Sequence, residues 1–273
     1  MRLARPGNAA LSALGVLIGA ASAASPDGLP TAPVWWAMLS ALAGTAGGNV
    51  LNDLMDRDVD RHAHPDRALV TGAVTARGAT AFVLVAWVVA LGSAALASAA
   101  VLFVAATLIG ILVAYEVALK SAGLPGNLAV AVVAGALFPF GAIAATGGFV
   151  GATGLPLVIG GIAGLAHLGR ELQKDAEDAA GDAAYRRTFA VRHGARAAAG
   201  LGAVLLLGAV ALSPVPHLVH GWGNGYLAVV IAADALFVAA AWQGILRPQR
   251  GRAASKLGMI VALAAFAVGA WWP

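Results

Sequence analysis

The chain has 273 residues, 60% apolar and 11% charged, with mean hydropathy +0.83 and a formal net charge of +4. That balance excludes a solvated globular domain and a disordered chain. Without cysteine, disulfides, thiolate nucleophiles and Cys-ligated metals are excluded too.

A helix needs about 20 mainly apolar residues to cross a bilayer, and such runs recur from end to end. In chain order they predict spans at 9–24, 33–52, 73–94, 98–118, 126–145, 155–172, 195–213, 225–243 and 254–272. Nine spans use roughly 180 residues, so no separate soluble domain fits. The expected fold is all-α: one polytopic membrane bundle of nine transmembrane helices over 1–273. The opening "MRLARPGNAALSALGVLIGAASAAS" has the grammar of a cleavable leader. We read it instead as a first transmembrane helix entered through Arg5-Pro6, because polytopic membrane proteins seldom need a leader. Glycines such as those of "AGTAGG" before Asn49 suit close helix packing in lipid.

Between the second and third spans, "NDLMDRDVDRHAHPDRALVTG" (52–72) concentrates five aspartates. At about 100° per residue, Asn52, Asp56 and Asp60 drift only about 80° around a helix. Asp53 lies beside this stripe and Asp58 points away. Two carboxylates about 5 Å apart repel by roughly 3 kcal/mol at an effective dielectric near 20, so the stripe calls for a cation or for full solvation. One stripe alone would read as solvated loop charge. After the sixth span, however, "RELQKDAEDAAGD" (170–182) places Asp175, Asp178 and Asp182 with the spacing of Asp53, Asp56 and Asp60, each 122 positions later. Ten of the 13 acidic residues fall in these two segments. The pattern predicts an internal repeat with two facing carboxylate stripes.

Oxygen ligands without cysteine suit hard cations, Mg²⁺ above all, which is usually shared between a few carboxylates and a phosphate-bearing substrate. Arg61, Arg67, Lys120, Arg170, Lys174, Arg186 and Arg187 are interleaved with the acids. Cations beside a carboxylate-held metal suit a diphosphate that gains charge as it leaves. Most of these would serve membrane topology equally well; Arg67, Lys120 and Lys174, nearest the motifs, stand out. His62, His64 and His167 adjoin the motifs and read as polar contacts. Asp234, alone in mid-span, reads as a hydrogen-bonded structural residue.

Charge asymmetry sets an expected orientation. The N-terminus and the 2–3, 4–5, 6–7 and 8–9 connections, with their flanking helix ends, hold all 17 Lys and Arg. The opposite loops (25–32, 95–97, 146–154, 214–224) and the C-terminus hold none. This predicts an integral cell (inner) membrane protein with N-terminus and both motifs cytoplasmic and C-terminus outside. The basic face lies against anionic lipid rather than nucleic acid, and no obligate protein partner is implied. Trp35-Trp36 and Trp271-Trp272 fall at predicted outer ends, where an aromatic belt is expected.

Asn52-Asp53-x-x-Asp56-x-x-x-Asp60 followed by "HPDRALVTG" resembles the first signature of the UbiA-type intramembrane prenyltransferases, and Asp175-x-x-Asp178-x-x-x-Asp182 resembles their second. "ARPGN", "YEVALK" at 115–120 and nine helices also match, so the resemblance covers nearly the whole chain. It implies a Mg²⁺-dependent enzyme with a lipid-facing cavity. By that resemblance Asn52, Asp56, Asp60, Asp178 and Asp182 hold Mg²⁺ against a prenyl diphosphate, and Asp53 and Asp175 ligate or orient it. Arg67, Lys120, Tyr115 and Lys174 would attend the diphosphate, and Phe138 or Phe140 would steady an allylic cation or simply pack. Within the superfamily, "LKSAGLPGNLAVAVVAGALFPFG" and "RELQKDAEDAAGD" are similar to the archaeal-type geranylgeranylglyceryl-phosphate prenyltransferases. That implies a glycerol ether lipid precursor as lipophilic acceptor. The sequence departs from the pattern at Ala68, where Pro is usual, at His64, where Asn is common, and at "TFAV" (188–191), where Thr-Leu-Pro is typical. The alternatives are an aromatic quinone precursor such as 4-hydroxybenzoate as acceptor or, in another class, an ion-coupled transporter.

Overall fold

The structure, a computed structural model, describes residues 3–23, 31–63 and 65–272. In chain order its helices are α1 (Pro6–Ala23), α2 (Ala32–Met55), α3 (Arg57–Ala63), α4 (Ala76–Ala97), α5 (Ala99–Ala114), α6 (Leu124–Thr146), α7 (Leu155–Asp182), α8 (Phe189–His193), α9 (Ala195–Leu212), α10 (Val215–His220), α11 (Asn224–Leu246) and α12 (Pro248–Trp271). A π-helical turn at Tyr115–Leu119 continues α5, and a 3₁₀ turn at Phe149–Ala152 follows α6. Among the described residues there is no strand.

Local chemistry places the ends. Thr75 and Ser98 cap α4 and α5, their side-chain oxygens accepting the backbone N–H of Gly78 and Val101, each at 3.1 Å. Pro6 opens α1, where its missing N–H costs nothing. Gly147 ends α6 in the left-handed conformation (φ 78°) that favours glycine.

Nine helices of 16 residues or more are present among the described residues, each overlapping one predicted span. Seven are long and apolar enough to cross a membrane: α1, α4, α5 with its π turn, α6, α9, α11 and α12. The composition of α2 and α7 falls short of the nine-span expectation for a physical reason. Gly, Ser, Thr and Asn fill much of α2, and α7 ends in its charged segment. These are the two aspartate helices. The sixth span, predicted to end at 172, instead runs unbroken through Asp182. The short helices α3, α8 and α10 had no apolar run to predict them. The small-residue ending of the leader-like segment reaches residues 24–25, outside the described residues.

The backbones approach closely where glycines meet. A Cβ on Gly141 of α6 would overlap the Val16 carbonyl of α1, and one on Gly19 would overlap the Phe138 carbonyl in return. Gly169 and Gly202 hold α7 against α9 likewise. Such contacts replace the hydrophobic drive that lipid cannot supply between helices. Gly141→Val should therefore destabilise the bundle by about 1–3 kcal/mol or more. Gly92→Val should change little, because no atom lies within 4 Å of the point its Cβ would occupy. Thermal unfolding of the purified protein in detergent compares the two.

Aromatic rings pack together in one core cluster. Trp222 meets Tyr226 edge-on at 4.8 Å and Phe138 meets Phe266 at 5.7 Å. Ser213 donates to Asp234 at 2.6 Å, and the Tyr226 hydroxyl donates to the Ser213 carbonyl at 2.6 Å. Asp234 is thus tied into helix packing.

Candidate active site

A cavity of ≈ 1730 Å³ lies between α1, α2, α5, α6, α7 and α12. Its polar end carries Asn52, Asp53, Asp56 and Asp60 on one side and Asp178 and Asp182 on the other. Below them the wall turns apolar, with Leu137, Ile162, Leu263 and Phe266.

The first stripe survives a break in the helix. Asp56 ends α2 and α3 restarts at Arg57, yet Asp56 N donates to the Asn52 carbonyl at 3.0 Å and Asp60 N to the Asp56 carbonyl at 2.8 Å. Helical rotation is conserved across the break, so Asp53, Asp56 and Asp60 are all buried. The Asp58 side chain lies outside the stripe, 87% exposed.

Buried carboxylates need partners, and cations from distant elements supply them. Arg5 reaches Asp53 at 2.7 Å. Arg67 joins Asp53 at 3.2 Å and Asp60 at 2.5 Å. Lys120 sits between Asp56 and Glu116, 2.7 Å from each, with Arg186 also paired to Asp56. Asn52 Nδ2 donates to Glu116 Oε1 at 2.7 Å. The π turn makes this possible. Its wide i→i+5 bond, from Lys120 N to the Tyr115 carbonyl at 2.8 Å, presents Tyr115, Glu116 and Lys120 together. Lys120 Nζ lies 5.7 Å from the Tyr115 ring centre.

The second stripe is less uniform. Asp178 and Asp182 line the main cavity, whereas Asp175 faces a side pocket shared with Lys120 and Asn127. Asp175 and Asp182 both lie beyond the apolar stretch of α7. Burial pushes the Asp175 carboxyl up to about 6, opposed by the hydrogen bond from Asn127 Nδ2 at 3.1 Å. Burial also raises Asp182, with Arg186 opposing the shift and the negative charges of Asp178 and Asp56 adding to it. Like charges thus crowd across the cavity.

Among the described residues, no three His, Asp or Glu side chains close around one point as a metal cage. Oxygen-only donors on facing walls nevertheless fit a hard cation whose remaining ligands come from a phosphate.

Several sequence expectations change. Lys174, which stood out beside the motif, lines the cavity with Asp178 and Asp182, its side chain 42% exposed and 3.9 Å from Glu171. Arg186 had read as a topology charge and is paired inside the site. Arg5 was noted only as a helix entry. It is the one described non-glycine residue at positive φ (45°), an unfavourable backbone that aims its guanidinium at Asp53. Glu116 and Asn127 were not singled out, although an acid inside the apolar run 98–118 was a usable signal. Phe138 lines the cavity, and Phe140 is packed in the core away from it. His167 lines the cavity with Nδ1 3.1 Å from the Ala163 carbonyl. His64 and the His62 side chain lie outside the described residues.

Long apolar helices enclosing a cavity with an acidic, cation-lined mouth and an apolar floor define an integral membrane enzyme for substrates with an anionic head and an apolar tail. The chain belongs to the UbiA prenyltransferase family, whose family model matches residues 12–270. Digeranylgeranylglyceryl phosphate synthase of Halobacterium salinarum is 41% identical over 277 residues, covering 98% of this chain and 96% of that protein. A solved structure from work on digeranylgeranylglyceryl phosphate synthase in membranes matches with TM-score 0.77 and 26% identity, covering 98% of this chain and 96% of the other. A UbiA homologue from Archaeoglobus fulgidus, solved with GPP and Mg²⁺, shares the fold at TM-score 0.60 and 18% identity, covering 98% and 99%.

Proposed function

We propose that this prenyltransferase moves a geranylgeranyl group from its diphosphate to the free hydroxyl of a geranylgeranylglyceryl phosphate, within the membrane. The observation that carries this reading is the near full-length 41% identity to a digeranylgeranylglyceryl phosphate synthase. The facing aspartate stripes support the chemistry.

In this reading Asn52, Asp56, Asp60, Asp178 and Asp182 hold Mg²⁺, with Asp53 and Asp175 orienting the ligands. Bound there, Mg²⁺ would neutralise the diphosphate and make it a better leaving group. Arg67, Lys120 and Arg186 are within reach of the same head group and stabilise charge as it develops. The bond from C1 of the prenyl chain to the diphosphate oxygen breaks, a bond from C1 to the acceptor oxygen forms, and the hydroxyl proton is released. The apolar wall buries the prenyl chain and keeps water from capturing the allylic cation. Tyr115 borders the head group, and Lys174 lines the cavity with Asp178 and Asp182.

The same reading makes all nine long helices spans of one domain, with α2 and α7 as corresponding motif helices of an internal repeat. The charge asymmetry puts the N-terminus and the cavity mouth on the cytoplasmic side and the C-terminus outside. The outward exposure of Trp35 and Trp272 supports an aromatic belt there.

Purified enzyme incubated with geranylgeranyl diphosphate, Mg²⁺ and either geranylgeranylglyceryl phosphate or 4-hydroxybenzoate should form the diether only. A prenylated aromatic without any ether lipid would move the chain to the quinone-precursor branch.

A further inference from the structure

Two cavity-lining cations on α12 and two on α7 remain outside the pairing of the first aspartate stripe. Arg252 and Lys256 face the cavity from α12, opposite Arg170 and Lys174 of α7, and the two helices pack together. The carboxylates beside them are Glu171, 2.5 Å from Arg170, and Glu177, 2.9 Å from Arg252. Lys256 has no carboxylate at ion-pair distance among the described residues. Glu171 and Glu177 thus pair with Arg170 and Arg252, while Lys256 is left to meet an anion such as a phosphate monoester, at about −1.5 to −2 near neutral pH.

The helix face continues the match. Arg252 and Lys256 are followed on the same cavity-lining side of α12 by Met259, Leu263 and Phe266, at the three- and four-residue steps that keep side chains in line. One wall therefore offers a charged mouth and an apolar track, apart from the Arg67 and Lys120 side that faces the diphosphate.

We infer that the α7–α12 wall is the acceptor subsite, with Arg252 and Lys256 binding the acceptor's phosphate and the Met259–Phe266 face its lipid chain. This rests on the function proposed above. The acceptor then lies across the cavity from the prenyl diphosphate, and the two anionic heads are held by separate sets of cations.

The test is steady-state kinetics of Lys256→Gln and Arg252→Gln with geranylgeranyl diphosphate, geranylgeranylglyceryl phosphate and the phosphate-free geranylgeranylglycerol. A charge-assisted hydrogen bond to phosphate is worth enough for each variant to raise the phosphorylated acceptor's KM about tenfold or more. The KM for prenyl diphosphate should hold, and the phosphate-free acceptor should react equally with wild type and variants. Lys256→Gln breaks no ion pair, so it serves even if Arg252→Gln, which strands Glu177, fails to fold. Ether formation with an unchanged acceptor KM, or an equal rise for both acceptors, overturns the subsite alone. No ether from the wild type overturns the proposed function and the subsite with it.

Discussion

Asp56→Asn and Asp178→Asn should each lower kcat at saturating Mg²⁺ by about 10³-fold or more, a loss of roughly 4 kcal/mol of transition-state stabilisation. The two residues lie on opposite walls of one cavity, on helices remote in sequence. If each supplies ligands to the same metal–diphosphate assembly, neither stripe suffices alone. The double variant should then fall little below either single one, as for groups acting as a unit. Asparagine is preferred to alanine because Asp56 is buried against Lys120 and Arg186, and an amide keeps hydrogen-bonding capacity there. Thermal unfolding of each variant reports any structural cost. Asp58→Asn, at an exposed position of the same segment, should remain near wild type. Activity within tenfold of wild type for Asp56→Asn or Asp178→Asn would remove that stripe from the metal site.

Arg67→Gln should raise the KM for prenyl diphosphate about 10- to 100-fold, the range expected for one or two lost charge-assisted hydrogen bonds. It should lower kcat as well, because Arg67 also bridges Asp53 and Asp60 and so holds the stripe in shape. Arg250→Gln is the control, an exposed charge outside the cavity lining. Its kinetics should be unchanged. Equal effects from the two substitutions would make Arg67 a topology charge like Arg250.

The bundle was legible because a bilayer writes its demand locally: each apolar run is a helix by itself, and each of the nine runs has one. The aspartate motifs were legible because acids are rare enough here for their spacing to stand out. What escaped depends on contacts between distant segments. Arg5 meets Asp53 across 48 positions and Arg186 meets Asp56 across 130, and neither carries a local signal beyond positive charge. The π turn was equally hidden, although it delivers Glu116 and Lys120 to the site.

The helices that carry the aspartates are also the ones whose composition gives them least claim on lipid. A translocon sorting segments one at a time by hydropathy would hold α4 or α6 readily and α2 or α7 poorly. In the nine-span reading proposed above, their retention comes from company: α2 packs along α1 and α4, and α7 along α6 and α9. Biogenesis is thereby coupled to assembly, each motif helix being secured by neighbours synthesised on either side of it. In that reading the polarity that equips the cavity for a charged substrate makes its own walls dependent guests in the bilayer.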